Sequence, residues 1–223
     1  MADGTRRADA QTRCMAHLAV SLAGASRPTG RTRSLRRLTR ALDALVAGGS
    51  NPSDIAARVG MLLRPTLADP ALLEPAHCEP AEDRYRQHLV HVHPAGRYSI
   101  VALVWKPGQA TPIHDHCCWC VVGVWRGLER ETTYDLHRGL GSRVLVPRGS
   151  TFAAPGHVSV LVPPEEDIHR VENSGMGLAI SIHVYGDDIS VLGSSINRTF
   201  GDELVRAHPR GAPALSWRTL DAA

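Results

Sequence analysis

Two histidines separated by a single residue constrain this chain more than any other feature. His114 and His116 lie in a segment that alternates in character as a β-strand does. Side chains at positions i and i+2 of a strand point to the same face, so both imidazoles can converge on one point. Imidazole is a common ligand of iron, zinc, copper and nickel. A third histidine, His169, follows about fifty residues later, and the three together predict a metal site.

The pattern after residue 85 predicts a β-rich domain. Short alternating segments are separated by Gly, Pro and Asn, which is typical of antiparallel strands. The predicted strands are Tyr85–Val92, Tyr98–Trp105, Cys118–Trp125, Glu129–Leu136, Arg143–Pro147, Val158–Val162, Ile168–Glu172 and Leu178–Tyr185. Roughly eight strands with no helix between them predict an all-β jelly roll or closed double-stranded β-helix.

Ahead of the strands, the sequence predicts a helical preface. Leucines recur at helical spacing between Ser34 and Ala47, and Gly48-Gly49 follows them. A second helix is expected from Asn51 to about Leu63, before Pro65. The expected organisation is a tail without fixed structure (1–33), a helical preface packed on the barrel (34–80) and the barrel with a C-terminal extension (81–223).

Composition argues against nucleic-acid and membrane partners. Residues 1–40 hold nine arginines against two acids, but Lys106 is the only lysine, which indicates an arginine-rich coding bias. A solvated tail therefore explains the basic residues better than a nucleic-acid footprint does. No run of eighteen apolar residues occurs, so no membrane span is expected. No oligomeric state is predicted.

Five cysteines, three of them crowded at positions 117, 118 and 120, do not form an ordinary disulfide framework. A reducing cytoplasm is therefore the expected location. One alternative is a signal peptide, which the apolar stretch from Met15 to Leu22 weakly resembles. Another alternative is a structural zinc site on Cys117, Cys118 and Cys120, although Cys14 and Cys78 lie in unrelated contexts.

The metal-site segments resemble the two motifs of the cupin superfamily. Gly108 precedes His114-x-His116, and Gly127 follows eleven residues after the second histidine. The second motif is matched by a pair of prolines at 163 and 164, by His169 and by Asn173.

Many cupins add a carboxylate ligand shortly after the histidine pair, but residues 117–121 contain no acid and the first one is Glu129. A neutral set of three histidines is therefore expected, with half of an octahedral sphere left open. Asp115 faces away from the pair on strand geometry and is expected to be structural. The histidines assigned to ordinary surface or core roles are His17, His77, His91, His93, His137, His157 and His208.

A second polar row lies on the last predicted strand. Ser181, His183 and Tyr185 share one face of that strand, while its opposite face is apolar. Polar groups flanked by apolar positions need hydrogen-bond partners, either one another or a ligand.

Together, His114-x-His116, His169 and Ser181-x-His183-x-Tyr185 resemble the thiol dioxygenases, which comprise cysteine dioxygenase and its bacterial relatives. The resemblance covers about residues 80–190 and implies a cytoplasmic cupin that oxidises a small thiol carboxylate to its sulfinic acid with O2. It implies one mononuclear Fe(II) per chain, held by the three histidines. Ser181, His183 and Tyr185 would form a catalytic hydrogen-bonded relay, with the Tyr185 hydroxyl aimed at the substrate.

Two further positions refine the resemblance. Animal cysteine dioxygenase and one bacterial branch place an arginine where Gln87 falls, whereas the glutamine branch resembles 3-mercaptopropionate dioxygenases. Gln87 is therefore expected to bind substrate, with 3-mercaptopropionate favoured over cysteine, because a glutamine amide is a weaker, neutral donor. Bacterial members usually carry glycine where Cys120 lies. In animal cysteine dioxygenase a cysteine at or next to this position forms a thioether with the tyrosine that matches Tyr185.

Two other functions remain open from the sequence. One is a metal cupin of another activity, such as a hydrolase or isomerase. The other is a non-catalytic, ligand-binding cupin with a basic N-terminal arm. The lack of a helix-turn-helix pattern and of interleaved aromatic residues weakens the second alternative.

Overall fold

The computed structural model of the chain describes residues 32–139, 142–164 and 167–206. Two helices come first, α1 (Arg33–Ala47) and α2 (Pro52–Thr66), and a 3-10 turn follows at Pro75–Cys78. The strands are β1 (Arg86–Val92), β2 (Ser99–Trp105), β3 (Ile113–His116), β4 (Cys120–Arg126), β5 (Glu129–Gly139), β6 (Ser142–Ala153), β7 (Val158–Leu161), β8 (His169–Asn173), β9 (Ala179–Tyr185) and β10 (Ile196–Phe200). A one-turn helix, α3 (Ile189–Leu192), and a 3-10 turn at Asp202–Leu204 complete the described chain. Residues 1–31 of the predicted tail lie outside the described residues.

Local side-chain contacts define where the two long helices begin. The Thr32 hydroxyl accepts a hydrogen bond from the Leu35 N–H at 3.2 Å, and the Asn51 side chain accepts one from the Asp54 N–H at 2.9 Å. Both are N-caps, which satisfy donors that have no partner inside the helix. The second helix runs past the predicted end, with Pro65 in its last turn. No helix of the described residues is both long enough and apolar enough to cross a membrane.

The strands form two five-stranded antiparallel sheets that face each other. The order in the first sheet is β1-β2-β9-β4-β7, and in the second it is β10-β3-β8-β5-β6. The architecture is the expected all-β cupin jelly roll, with the site histidines on β3 and β8 and the polar row on β9. All seven residues of β2 and all seven of β9 are buried, so this sheet has protein on both faces.

The structure adds to the predicted strands in two places. The segment Ile196–Phe200 pairs with β3 as an edge strand, although its sequence is too polar and too short to indicate a strand. The predicted strand Arg143–Pro147 is longer at both ends, because β6 pairs with β5 from Ser142 to Ala153 around a bulge between Thr133 and Tyr134. A bulge of this kind lets a long hairpin bend around the barrel.

The two helices cover the outer face of the first sheet. α1 packs on α2, and α2 packs on β4 and β7. Close approach is possible because β4 has a glycine there: a Cβ at Gly123 would lie 2.8 Å from Leu63 Cδ2 and 2.9 Å from Leu67 Cδ1. Tyr98 ties β2 to α1 by donating its hydroxyl to the Asp43 carboxylate at 2.7 Å. The helices therefore complete a hydrophobic core that the sheet cannot close alone.

Replacing Leu63 with alanine should destabilise the whole barrel. Leu63 is fully buried between α2 and β4, and removing a buried leucine side chain costs about 2–5 kcal/mol. Met61→Ala is the matched control, because Met61 lies on the same helix and is 74% exposed. Urea unfolding followed by far-UV circular dichroism measures both free energies of unfolding. Equal values for the two variants would contradict the packing described here.

Candidate metal centre and hydrogen-bonded relay

The three predicted ligand histidines meet between the two sheets. His114 lies directly opposite His169 in the pairing of β3 with β8, and His116 follows on the same face of β3. All three side chains are buried, and one ring nitrogen from each lies within 4.8 Å of the others. Among the described residues, this is the one group of three or more His, Cys, Asp or Glu side chains arranged to hold a metal ion, and it contains no carboxylate.

Oxygen atoms hold the outer nitrogens of His114 and His169, whereas the outer nitrogen of His116 lies near an oxygen atom but has no hydrogen-bond partner among the described residues. His114 Nδ1 lies 3.0 Å from the Pro112 carbonyl oxygen, and His169 Nδ1 lies 2.7 Å from Glu131 Oε1. His116 Nδ1 lies 3.5 Å from Asp167 Oδ2, a carboxylate oxygen that also accepts the His116 backbone N–H at 2.8 Å. The contacts of His114 and His169 orient these two rings and place the proton on Nδ1, as is usual around metal-binding histidines.

This arrangement leaves facing lone pairs that a cation would satisfy. His114 Nε2 and His169 Nε2 are 3.3 Å apart. With a proton on each Nδ1, neither Nε2 atom carries a hydrogen to donate to the other. Burial lowers the pKa of His114 well below its usual value, with the neighbouring His169 and His116 adding to the effect. Burial also lowers the pKa of His116. Neutral rings with converging lone pairs are the donor set that a first-row divalent metal takes.

The predicted polar row on β9 forms a continuous hydrogen-bonded chain. Ser181, His183 and Tyr185 are 0%, 5% and 4% exposed. Ser181 Oγ lies 3.0 Å from His183 Nε2, and the Tyr185 hydroxyl lies 3.1 Å from His183 Nδ1. Burial, reinforced by the nearby His169 and His116, lowers the pKa of His183 to about 3. The ring is therefore neutral and can relay a proton by changing which nitrogen carries it.

Cys120 lies beside this chain. Its Cα is paired with that of Tyr185 across β4 and β9, and its Sγ is 3.9 Å from His183 Nδ1. Cys118 and Cys120 are both free thiols. Burial raises the pKa of Cys118 to about 12 and that of Cys120 well above its usual value. Neutral thiols are poor zinc ligands, and no zinc-type cysteine cluster is present among the described residues.

Gln87 lies on the inner face of the first sheet, in line with the polar row. It is paired with Leu103 on β2, and Leu103 is paired with Ser181 on β9. Its side chain lies near the Tyr85 hydroxyl, and the Tyr85 ring packs on Trp105 at a centroid separation of 4.3 Å. The neighbouring Arg86 points to the outer, exposed side.

Three acidic residues support the site without belonging to the predicted set. Asp167 contacts His116, and Glu131 contacts His169. Glu129 is 1% exposed, and burial raises its pKa to about 7 although the nearby Ser181 hydroxyl opposes this effect. The alternation of Glu129 and Glu131 on one face of β5 was the available signal for the two glutamates. Asp167 offered no such signal, because its role depends on how the preceding loop meets β3.

The other polar groups near the ligand pair point elsewhere. Asp115, between the two ligands on β3, accepts hydrogen bonds from the Arg198 guanidinium and backbone N–H. It was expected to have a structural role, and these contacts agree with that expectation. None of the other described histidines joins the metal-type group. His17 and His208 lie outside the described residues.

Two solved structures similar to this chain are an uncharacterized protein with a double-stranded β-helix domain from Klebsiella pneumoniae and a cupin superfamily protein from Desulfitobacterium hafniense. The first is 18% identical, covers 54% of this chain and 92% of its own, and has a TM-score of 0.38. The second is 16% identical, covers 54% and 94%, and has the same TM-score of 0.38.

A comparison with family profiles gives a more specific result. The profile described as cysteine dioxygenase type I matches residues 77–192, just over half of the 223-residue chain. That span includes β1 to β9 with the three clustered histidines and the polar row on β9. The family consists of metalloenzymes of the dioxygenase class of oxidoreductases. The chain belongs to the cysteine dioxygenase type I family.

Proposed function

We propose that this protein is an iron(II)-dependent thiol dioxygenase that converts 3-mercaptopropionate, and cysteine less efficiently, to the sulfinic acid with O2. The observation that carries the proposal is the meeting of three buried imidazoles beside the Ser181–His183–Tyr185 chain. In this proposal His114, His116 and His169 hold one Fe(II). Bound iron would supply a centre at which a thiolate and O2 can be held side by side.

The residues around the centre then bind and orient the reactants. Holding thiolate and O2 in one buried site makes oxygen transfer to sulfur an intramolecular step. A ligand set without carboxylates keeps the positive charge of the ion, which favours an anionic thiolate. The Tyr185 hydroxyl donates towards developing negative charge, and His183 with Ser181 fixes its orientation.

The proposed substrate preference rests on the charge of the inner face. The buried polar residues of the described chain include no arginine or lysine, so a charged clamp on the substrate carboxylate is absent from the described interior. Gln87 lies on the inner face in line with Ser181, where its amide would donate a neutral hydrogen bond to the carboxylate. 3-Mercaptopropionate has no ammonium group that would need a buried partner, whereas cysteine does.

A metal cupin with hydrolase or isomerase activity fits this site less well. Metal-assisted hydrolysis needs a base near the metal-bound water, and the described carboxylates nearest the trio are engaged with the ligand rings. A non-catalytic, ligand-binding cupin would have no use for the buried Ser181–His183–Tyr185 hydrogen-bonded chain.

Removing one ligand should abolish both metal binding and oxygen consumption. His169→Ala is expected to purify with less than about one tenth of the iron of the native protein, since loss of one of three ligands removes much of the binding free energy. Metal analysis and an oxygen electrode with 3-mercaptopropionate measure the two losses. His137→Ala is the matched control, because His137 is exposed on β5. Thiol-dependent oxygen uptake that needs no iron would refute the proposal.

Introducing arginine at position 87 should shift the substrate preference. Gln87→Arg places a charge-assisted carboxylate donor on the inner face, worth about 1.5–3 kcal/mol, so KM for thiol carboxylates should fall by roughly tenfold or more. The ratio of kcat/KM for cysteine to that for 3-mercaptopropionate should rise. Arg86→Gln is the control on the exposed face of the same strand. An unchanged ratio in Gln87→Arg would remove Gln87 from the substrate site.

We further propose that Cys120 and Tyr185 become joined by a thioether. Their Cα atoms are paired across β4 and β9, and both side chains lie against His183 Nδ1, the Cys120 Sγ at 3.9 Å and the Tyr185 hydroxyl at 3.1 Å. The bond forms between Sγ and a ring carbon next to the phenol oxygen, and the two hydrogens lost are taken up by O2 as the oxidant.

Intact mass under denaturing, reducing conditions should therefore be about 2 Da below the sequence mass in the fraction that has been active with iron and O2, because one bond replaces two hydrogens. The deficit should vanish in Cys120→Ser and persist in Cys118→Ser. Full activity without any deficit would contradict the crosslink.

A further inference from the structure

A second chain of hydrogen bonds leads from the ligand His169 towards the outside of the barrel. His169 Nδ1 lies 2.7 Å from Glu131 Oε1, and the other carboxylate oxygen, Oε2, accepts the Ser159 hydroxyl at 2.7 Å. Ser159 Oγ in turn lies 3.3 Å from His157 Nε2. These four residues form what we call the outer chain, which begins at a ligand side chain that is 2% exposed and ends at a half-buried histidine.

The outer chain joins the two sheets of the barrel. Glu131 and His169 belong to the second sheet, on β5 and β8, whereas Ser159 lies on β7, which ends the first sheet. In the described chain β7 pairs with β4, and no strand pairing joins it to β5. The hydrogen bond from Ser159 to Glu131 is therefore a side-chain link between sheets, at a place where no backbone ladder connects them.

The chemistry of the four groups fixes where each hydrogen lies. An ionised carboxylate can only accept hydrogen bonds, so His169 Nδ1–H and the Ser159 hydroxyl both donate to Glu131, one to each oxygen. The single hydrogen of Ser159 is then used, and its oxygen can only accept from His157. His157 must therefore carry its ring proton on Nε2, whereas His169 carries its proton on Nδ1.

The third ligand depends on distant residues more than the first does. The ring of His114 is held by the carbonyl of Pro112, two residues away in the chain. The ring of His169 is held by the flexible side chain of Glu131, which comes from another strand. A single contact with His169 would leave that carboxylate free to rotate, and the Ser159 hydroxyl supplies the second point that fixes it.

We infer that Ser159 and His157 are positioning residues for the metal ligand His169. From the opposite sheet they fix the Glu131 carboxylate, which then holds the imidazole with its Nε2 facing that of His114. Neither residue touches metal or substrate, and both act through Glu131. From the sequence alone, His157 was assigned an ordinary surface or core role. The inference rests on the proposed function for the identity of the metal, but the hydrogen bonds of the outer chain do not require it.

Metal affinity gives the first test, with Co(II) as a coloured probe in competition with a chelator and with full-length protein. Ser159→Ala should weaken Co(II) binding by about tenfold, as is usual when a contact behind a ligand is lost. Ser159→Thr keeps the hydroxyl and should bind within about twofold of the native protein, because Ser159 lines a small cavity with Val122 and Val124. Ser150→Ala is the matched control, since the exposed Ser150 hydroxyl contacts only Thr132.

Variants of His157 test the far end of the outer chain. His157→Leu removes the donor to Ser159 and should weaken Co(II) binding by about threefold, less than Ser159→Ala does, because it acts one link farther from the ligand. His157→Gln keeps an N–H that can reach Ser159 and should restore most of the affinity. His137→Ala, which changes an exposed histidine on β5, should leave the affinity unchanged.

A second test reads the ring protons directly in metal-free, full-length protein with ¹⁵N-labelled histidine. At pH 8, His157 should be in the Nε2–H form and His169 in the Nδ1–H form. The two sets of signals are assigned by their absence in His157→Gln and His169→Gln. In Ser159→Ala, His157 loses its acceptor and should become a mixture of both forms. A role of Ser159 in packing alone would leave the His157 tautomer unchanged.

The inference is overturned if Ser159→Ala binds Co(II) as the native protein does, or if native His157 carries its proton on Nδ1. It also fails if Ser159→Thr loses as much affinity as Ser159→Ala, because the hydroxyl would then not be the cause. Co(II) binding that depends on Ser159, in a protein that consumes no O2 with any thiol, would refute the proposed function alone. Iron-dependent thiol oxidation with no effect of Ser159 on metal affinity would refute this inference alone.

Discussion

The contact between His114 and His169 across β3 and β8 is the constraint on which the site depends. Two buried imidazoles with their Nε2 atoms 3.3 Å apart repel unless a cation or a proton lies between them. Burial disfavours a proton on His114 Nε2, because it lowers the pKa of that ring well below its usual value. The oxygen atoms of Pro112 and Glu131 hold the outer nitrogens, so the rings cannot escape the conflict by turning. A bound metal ion would remove this repulsion.

The helices on the outside of the barrel allow apolar burial that offsets the free-energy cost of polar residues in the barrel interior. The first sheet has apolar residues on its outer face packed against α1 and α2, and this core includes Leu63, Trp125 and Ile182. The inner face of the same sheet can then carry a serine, a histidine and a tyrosine in a row on β9. If the barrel interior were the only hydrophobic core, polar residues at those positions of β9 would take the place of the apolar residues that stabilise the fold.

Two glutamates on one face of β5 show how position sets acidity. Burial alone would raise the pKa of Glu131, but hydrogen bonds from His169 and Ser159 lower it to about 2. Burial raises the pKa of Glu129, two residues away, to about 7; the nearby Ser181 hydroxyl opposes this and the negative charge of Glu131 adds to it. Glu131 is thus a fixed anion that balances the charge of a metal site, while Glu129 can change its charge near neutral pH.

The sequence alone determined the fold class, the family resemblance and which residues would meet. Alternation at period two places His114 with His116, and Ser181 with His183 and Tyr185, on common faces whatever the rest of the chain does. The edge strand β10 escaped notice because Ile196–Phe200 has little hydrophobic alternation and gains its order from pairing with β3.

Only the tertiary structure decided the contacts that cross between segments distant in sequence: Asp167 with His116, and Glu131 with His169. These depend on strand register and on sheet-to-sheet spacing, and neither is encoded in local periodicity.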